Sequence, residues 1–351
     1  MERSRFPSSD RGRVTCLGRG MLLAVVLTLM AGCGEGESEA LLGDYQQRLA
    51  ESLGVEVPDR ASPDNIGAFP EQDERLFEVA ETREGMLDVY ALRGCHIAQL
   101  VAGRNNQLGR VAPPSQRWLY ELELWRLLSD CWNSDVPSTL SGDSRERLSR
   151  LTAIKTEQLP RVSWNALFAS EEWVKNFSRA SSPLAPEGLD EARQRGAALT
   201  YLREATLHQF DPDWTPDSAT LEGHFKTLQE RPFSAEMLRT LLLAEQRLDE
   251  ASSLIEGALA RSDGETCPGA VAPLTDSTPL GAWLQRLDRS ARHWLGAIDA
   301  LLDAQVAPPP AVAEYRHRWL SLTHPEAPLP AFTEAREHHE ALRARLAHRC
   351  Q

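Results

Sequence analysis

Lysine is nearly missing from this chain: Lys155, Lys175 and Lys226 are the only ones in 351 residues, so almost every positive charge is an arginine. Positive charge is also in deficit, with a formal net charge of −13. Such a surface repels nucleic-acid backbones, which excludes nucleic acid as a partner. Long apolar runs are scarce: the stretch from Met21 to Gly32 falls short of the roughly 20 residues that a spanning helix needs. Hairpin signals are scarce too, since Asp263-Gly264 follows a helical pattern and does not separate two alternating runs. No Gly-x-Ser-x-Gly elbow, phosphate-binding Gly-x-x-x-x-Gly-Lys or Cys-x-x-Cys pair occurs. His339-Glu340 is followed by Arg343 where a zincin needs its second histidine. Cys95 and His96, as neighbours on a helix, point about 100° apart and make no working nucleophile pair.

At the amino terminus, Arg3, Arg5, Arg11, Arg13 and Arg19 outnumber Glu2 and Asp10 ahead of the apolar run, and small Ala31 and Gly32 close it. Residues 1–32 read as a signal peptide. Met30-Ala31-Gly32-Cys33 resembles the lipobox of lipoprotein precursors, which implies acylation of Cys33. Several acyl chains on one residue give lasting attachment to the lipid bilayer, where one chain gives only reversible binding. Gly34 stands where an aspartate would retain the protein at the inner membrane. By resemblance to enterobacterial sorting rules, the periplasmic leaflet of the outer membrane is favoured.

Beyond Cys16 and Cys33, the cysteines are Cys95, Cys131, Cys267 and Cys350, an even set suited to an oxidising compartment. Cys95 and Cys131 are symmetric about Pro113-Pro114, so a helical hairpin turning there sets them opposite each other. That leaves Cys267 to pair with Cys350 and fasten the last helix to a Gly/Pro-rich loop. Four buried free thiols are the alternative.

After a short tether over residues 33–40, a helix is expected from Glu39 to Leu53, then a link punctuated by Pro58, Pro63 and Asn65. Met86, Val89, Tyr90, Ile97, Leu100 and Val101 predict the first arm of the hairpin, running to Gly109; Trp118, Leu122, Trp125 and Leu128 predict the second. A further helix should span Asp143 to Gln158. The Ser/Pro/Ala-rich stretch 178–187 divides an N-terminal helical subdomain, 41–177, from a C-terminal bundle, 178–351. In the latter, Met237, Leu241, Ala244, Leu248, Ala251, Ile255 and Ala258, and then Leu284, Leu287, Ala291, Trp294, Ile298 and Leu301, step by threes and fours. A last helix runs from Phe332 to Cys350. The fold class is all-α: antiparallel helical bundles within a monomer, with a disulfide-stapled hairpin in the N-terminal half.

Arg104-Asn105-Asn106-Gln107-Leu108-Gly109-Arg110, followed by Pro114-Ser115-Gln116-Arg117 and Tyr120-Glu121 and flanked by Cys95 and Cys131, resembles an uncharacterised proteobacterial lipoprotein family, domain of unknown function 3080. Gly85-Met86-Leu87-Asp88 and Trp164-Asn165-Ala166-Leu167-Phe168 are similar as well. The resemblance implies an envelope lipoprotein and no known activity.

Arg104, Asn105, Asn106, Arg110, Arg117 and Glu121 are the candidate ligand-binding residues, because guanidiniums and amides at one turn present donors to a carboxylate, phosphate or sugar. The structural alternative has Asn106 and Gln107 capping a helix end, Gly109 as its left-handed C′ residue, and Arg104 or Arg110 paired with Glu121 or Glu123. Glu334, His338 and His348 share a helix that reads as solvated rather than metal-binding, so no metal or cofactor is expected. Trp164 and Trp173 read as core, with sugar stacking the alternative. The function expected first is a non-catalytic scaffold docking on another envelope protein. The second is a small-ligand binder or hydrolase at the Arg104 hairpin, which a concave pocket holding Arg104, Asn105 and Glu121 would favour.

Overall fold

Apolar residues recurring every three or four positions set the helices, and the computed structural model, which describes residues 36–57, 59–82, 84–261 and 278–349, contains no strand among them. Cys33, Cys267 and Cys350 lie outside the described residues, and with them the leader, the lipidation site and the second disulfide. Among the described residues no helix is long and apolar enough to cross a membrane.

The longest elements follow the heptad-like stripes. Helix α12, Phe233–Ala260, buries Met237, Leu241, Ala244, Leu248, Ala251, Ile255 and Ala258, and α13, Pro279–Ala304, buries Leu284, Leu287, Ala291, Trp294, Ile298 and Leu301. Alanines between the larger side chains let partner helices approach closely. Helix α12 packs against α1, Glu37–Leu53, and α15, Pro328–Arg349, while α13 lies on α10, Glu191–Leu207. The resulting core draws on residues from Leu42 to Leu346, on both sides of the 178–187 stretch.

Inside it, polar side chains lock α1, α12 and α15 together. His339, fully buried on α15, lies 2.5 Å through Nε2 from the Tyr45 hydroxyl and 3.0 Å through Nδ1 from Ser252 Oγ. Arg343 donates to that Tyr45 oxygen at 3.0 Å. Both ring nitrogens of His339 and the Tyr45 oxygen thus have hydrogen-bond partners inside the core. Burial first, and then the Arg343 charge, push His339 down to about 3. Nearby, Arg247 is buried against Glu250 at 2.8 Å and holds the backbone oxygen of Ala61 at 3.0 Å, which fastens the link after α1.

The hairpin departs from the expected pattern in its first arm. Its second arm is one helix, α6, Pro114–Trp132, packed along α8, Gly142–Phe168. The first arm is broken into α3, Met86–Ala91, a 3-10 turn Arg93–Cys95, α4, Ala98–Asn105, and α5, Gln107–Arg110. His96, at φ 59°, interrupts it in the left-handed region. Tertiary contact explains the break: the 3-10 turn brings Cys95 within 5.1 Å, Cα to Cα, of Cys131, to which it is disulfide-bonded, and packs Gly94 under Val136. Helix α8 runs ten residues beyond the expected Gln158, through Pro160, because its buried stripe continues over Leu159, Val162, Ala166 and Leu167.

Trp164 and Trp173 are buried, with Trp164 stacked on Phe168 at 3.8 Å and its Nε1 donating to the Arg75 carbonyl, so neither offers a face to a sugar. Asn165 next to it bonds both the N–H and the C=O of Phe77, at 2.9 and 2.8 Å, and Gln158 reaches the Ala80 carbonyl. The segment leading to α3 is thereby laid along α8.

His339 gives the fold a defined acid sensitivity. The unfolded chain takes up a proton on this side chain near the ordinary value of 6.5, whereas the folded chain does so only near 3. Below pH 6.5 the unfolded state therefore binds the extra proton, and the His339 contribution to stability falls by about 1.4 kcal/mol per pH unit towards pH 3. In urea titrations the stability advantage of the wild type over His339→Gln should shrink steadily from pH 7 to pH 5; an advantage that does not change with pH contradicts the assignment.

Candidate functional site

The pieces of the first arm are too short to fill the space against α6 and α8, and they leave a cavity of about 550 Å³. Its walls are Ala80, Glu81, Thr82 and Glu84, then α3, α4, α5, α6 and α8. Its floor is apolar: Val89, Leu92, Ile97, Leu124, Leu128 and Leu151 line it and belong to a second, small core built around the disulfide.

All the candidate ligand-binding residues except Asn106 face this cavity. Asn105 and Arg110 are exposed at its mouth, Arg104 and Arg117 are half-buried, and Glu121 is buried. Asn106 instead caps α5, its side-chain oxygen accepting from the Gly109 N–H at 2.8 Å. Gly109 is not a left-handed C′ residue but sits within α5, where a Cβ would collide with the carbonyls of Gly103 and Arg104. Nor does Arg104 pair with Glu121 or Glu123: its guanidinium donates to the Gly109 carbonyl at 2.5 Å and lies over the Tyr120 ring, 6.0 Å from the centroid. Burial, reinforced by the neighbouring Glu121 charge, pushes the Tyr120 phenol up to about 12, so it stays a hydrogen-bond donor at neutral pH.

The partner of Glu121 is Lys155, at 2.8 Å, and both are buried. Arg147 occupies Glu84 and Asp88, at 3.2 and 2.8 Å. Lys155, Arg147, Tyr120, Glu84 and Asp88 were not singled out as site residues from the sequence. Lys155 did carry a signal, since it stands in the apolar stripe Leu148, Leu151, Leu159, Val162 of α8, where a lysine needs a buried partner.

Four carboxylates line the cavity: Glu84, Asp88 and Glu121 are neutralised within the wall, and Glu81 is not free either. Arg110 and Arg117 have no side-chain hydrogen bond or ion pair among the described residues, and the Arg117 Nε is shielded from water without an acceptor. Unpaired guanidiniums converging in a hollow can hold an oxyanion by charge-assisted, bidentate hydrogen bonds. Among the described residues that line the cavity there is no histidine, cysteine or serine, and its hydroxyls are those of Thr82 and Tyr120.

Removing the lysine alone strands Glu121 inside the wall. Lys155→Met should lower unfolding free energy by about 3–5 kcal/mol in urea titrations, while Lys155→Met combined with Glu121→Leu should recover most of that loss. Equal losses in the single and double variants contradict a buried pair.

The cavity and its disulfide lie inside the span recognised by a family model. No curated protein and no solved structure matches the chain. The model for the protein of unknown function family DUF3080 matches residues 42–270, more than half of the sequence, and the chain belongs to that family.

Proposed function

We propose that this protein is a lipid-anchored envelope lipoprotein facing the periplasm that binds a small anionic ligand in the cavity between α3–α5 and the α6/α8 pair. The observation that carries the reading is the convergence of Arg104, Asn105, Arg110 and Arg117 on one hollow in a chain of net charge −13. Guanidiniums left without carboxylates amid so many acidic residues point to an anion as their partner. Binding without turnover is favoured, because the carboxylates at Glu84, Asp88 and Glu121 are engaged by Arg147 and Lys155. A scaffold that docks through a convex apolar face has no need of such a hollow, so that reading takes second place. The anchoring half rests on the leader, on Met30-Ala31-Gly32-Cys33, and on the resemblance set out above; only Gly34, Glu35 and Gly36 separate Cys33 from α1.

Inorganic phosphate is the simplest probe of the anion site. At 10 mM, against sodium chloride of equal ionic strength, it should raise Tm by about 2–4 °C if Kd is on the order of 1 mM. Arg117→Gln should lose the gain while keeping its own Tm near wild type. The same gain in both proteins would be a general salt effect and would refute the site.

For the anchor, Cys33→Ser should move the protein from the membrane fraction to the soluble fraction of the envelope, or leave the precursor uncleaved. A Cys33→Ser protein that is processed and still sediments with membranes refutes acylation at that residue.

A further inference from the structure

Resting on the reading that the cavity binds an anion, we infer that its ligand is a single-chain amphiphile: an alkyl chain ending in a carboxylate or phosphate, taken from a lipid surface. The lining is segregated. Cationic and amide groups of Arg104, Asn105 and Arg110 stand at or near the mouth, and Val89, Leu92, Leu128 and Leu151 form the floor. A free inorganic anion leaves that floor unfilled, whereas an amphiphile satisfies both ends at once. At about 550 Å³ the space lies in the lower half of the usual ~300–1,000 Å³ range for small-molecule sites, which favours one chain over two.

A second observation comes from outside the cavity. Met86, Leu87, Tyr90, Leu108 and Val111 are 64–84 % exposed, while no other exposed large hydrophobic among the described residues exceeds the 50 % of Leu207. All five belong to α3, α5 or the residue just after α5, and the opposite faces of those two helices supply Asp88, Val89 and Arg110 to the cavity. Scattered exposed apolar side chains need no explanation, but the most exposed ones all falling on, or directly after, two helices that wall one cavity do. Apolar outer faces on those two helices suit contact with a lipid surface from which the chain of the ligand enters. They serve no purpose for an anion arriving from water. Arginines at the mouth then hold the headgroup as it leaves that surface.

The test is titration calorimetry of the purified protein with propyl, butyl, hexyl and octyl phosphate, each kept monomeric and at constant ionic strength, with octyl glucoside as the neutral comparison. Affinity should rise about three- to four-fold per added methylene, which is at least 100-fold from propyl to octyl phosphate. Arg104→Gln combined with Arg117→Gln should weaken every phosphate about ten-fold or more without changing that slope. Val101→Phe, at a half-buried position of the wall, should flatten the slope by filling the floor and leave propyl phosphate within about two-fold of wild type. Equal affinity for propyl and octyl phosphate overturns the amphiphile inference and leaves anion binding standing. Binding of neither overturns both, and octyl glucoside matching octyl phosphate overturns the anionic headgroup.

Discussion

The bond between Cys95 and Cys131 is the constraint on which the site depends. Helices α3, α4 and α5, with 6, 8 and 4 residues, are each shorter than the ~12–15 residues at which an isolated helix becomes even marginally stable in water. Their own hydrogen bonds do not hold this arm in place. Closing a loop over a sequence separation of 36 removes enough freedom from the unfolded chain to contribute about 2–4 kcal/mol. It also fixes the 3-10 turn against α6, so the arm is pinned at its middle, while Asp88 ties α3 to Arg147 of α8 and α4 packs on α6. The cavity is the space that such an arm fails to fill. Unlike a cavity in the main core, it has a polar mouth as well as an apolar floor, and this is why it reads as a site and not as a packing defect.

The recognisable motifs acquire distinct mechanical roles around that arm. Asn165 acts as a backbone clamp on Phe77, and Trp164 holds the carbonyl of Arg75, so the Trp-Asn pair positions the segment that enters the cavity wall. Asp88 caps α3 by accepting from the Gly85 N–H at 3.1 Å and also engages Arg147, which joins the start of α3 to α8. Ser115 and Gln116 both reach Glu222 on the neighbouring helix Ser218–Gln229, at 2.6 and 2.8 Å, and anchor the first turn of α6 so that Arg117 faces inward. Asn106 and Gly109 shape the turn and do not touch the hollow's contents through their side chains. Within the matched family span, most of the distinctive residues thus build the cavity and a smaller set lines it.

How legible this was from sequence follows the same division. Helices α12 and α13 could be read nearly to their ends, because a helix that buries one stripe in a large core writes its period into its own sequence, whereas α15 was expected only as a charged helix and buries His339 and Arg343 along with its apolar residues. The Cys95–Cys131 pairing was legible because Pro113-Pro114 marks the turn that sets the two cysteines opposite each other. The break at His96 was not, since the apolar period runs on through it and the packing of Gly94 under Val136 lies in a contact between segments; Asn106 was expected to cap a helix end, and it caps the helix that follows it. The arginine cluster could be seen as a cluster. Which arginines are paired could not be seen, because this depends on the register of α8 against α6: that register delivers Lys155 to Glu121 and Arg147 to Asp88, leaving Arg110 and Arg117 unpaired.

That distribution also accounts for the near absence of lysine from the site. Lys155 is the exception, and its task is to neutralise one buried carboxylate at one point, which a compact ammonium does well. At the mouth the requirement is different. A guanidinium is planar, more weakly hydrated than an ammonium, and able to stack on a ring while donating in its plane, as Arg104 does over Tyr120 while bonding the Gly109 carbonyl. Held in this way, it costs less to strip of water and presents a fixed fork instead of a mobile point charge. In an otherwise acidic molecule, distant field lines favour cations, so an anion gains attraction only once it is near enough for these unpaired guanidiniums to dominate. On the proposed reading, capture is therefore a short-range event at the mouth, and selectivity would rest on the geometry of the fork and the depth of the apolar floor rather than on long-range steering.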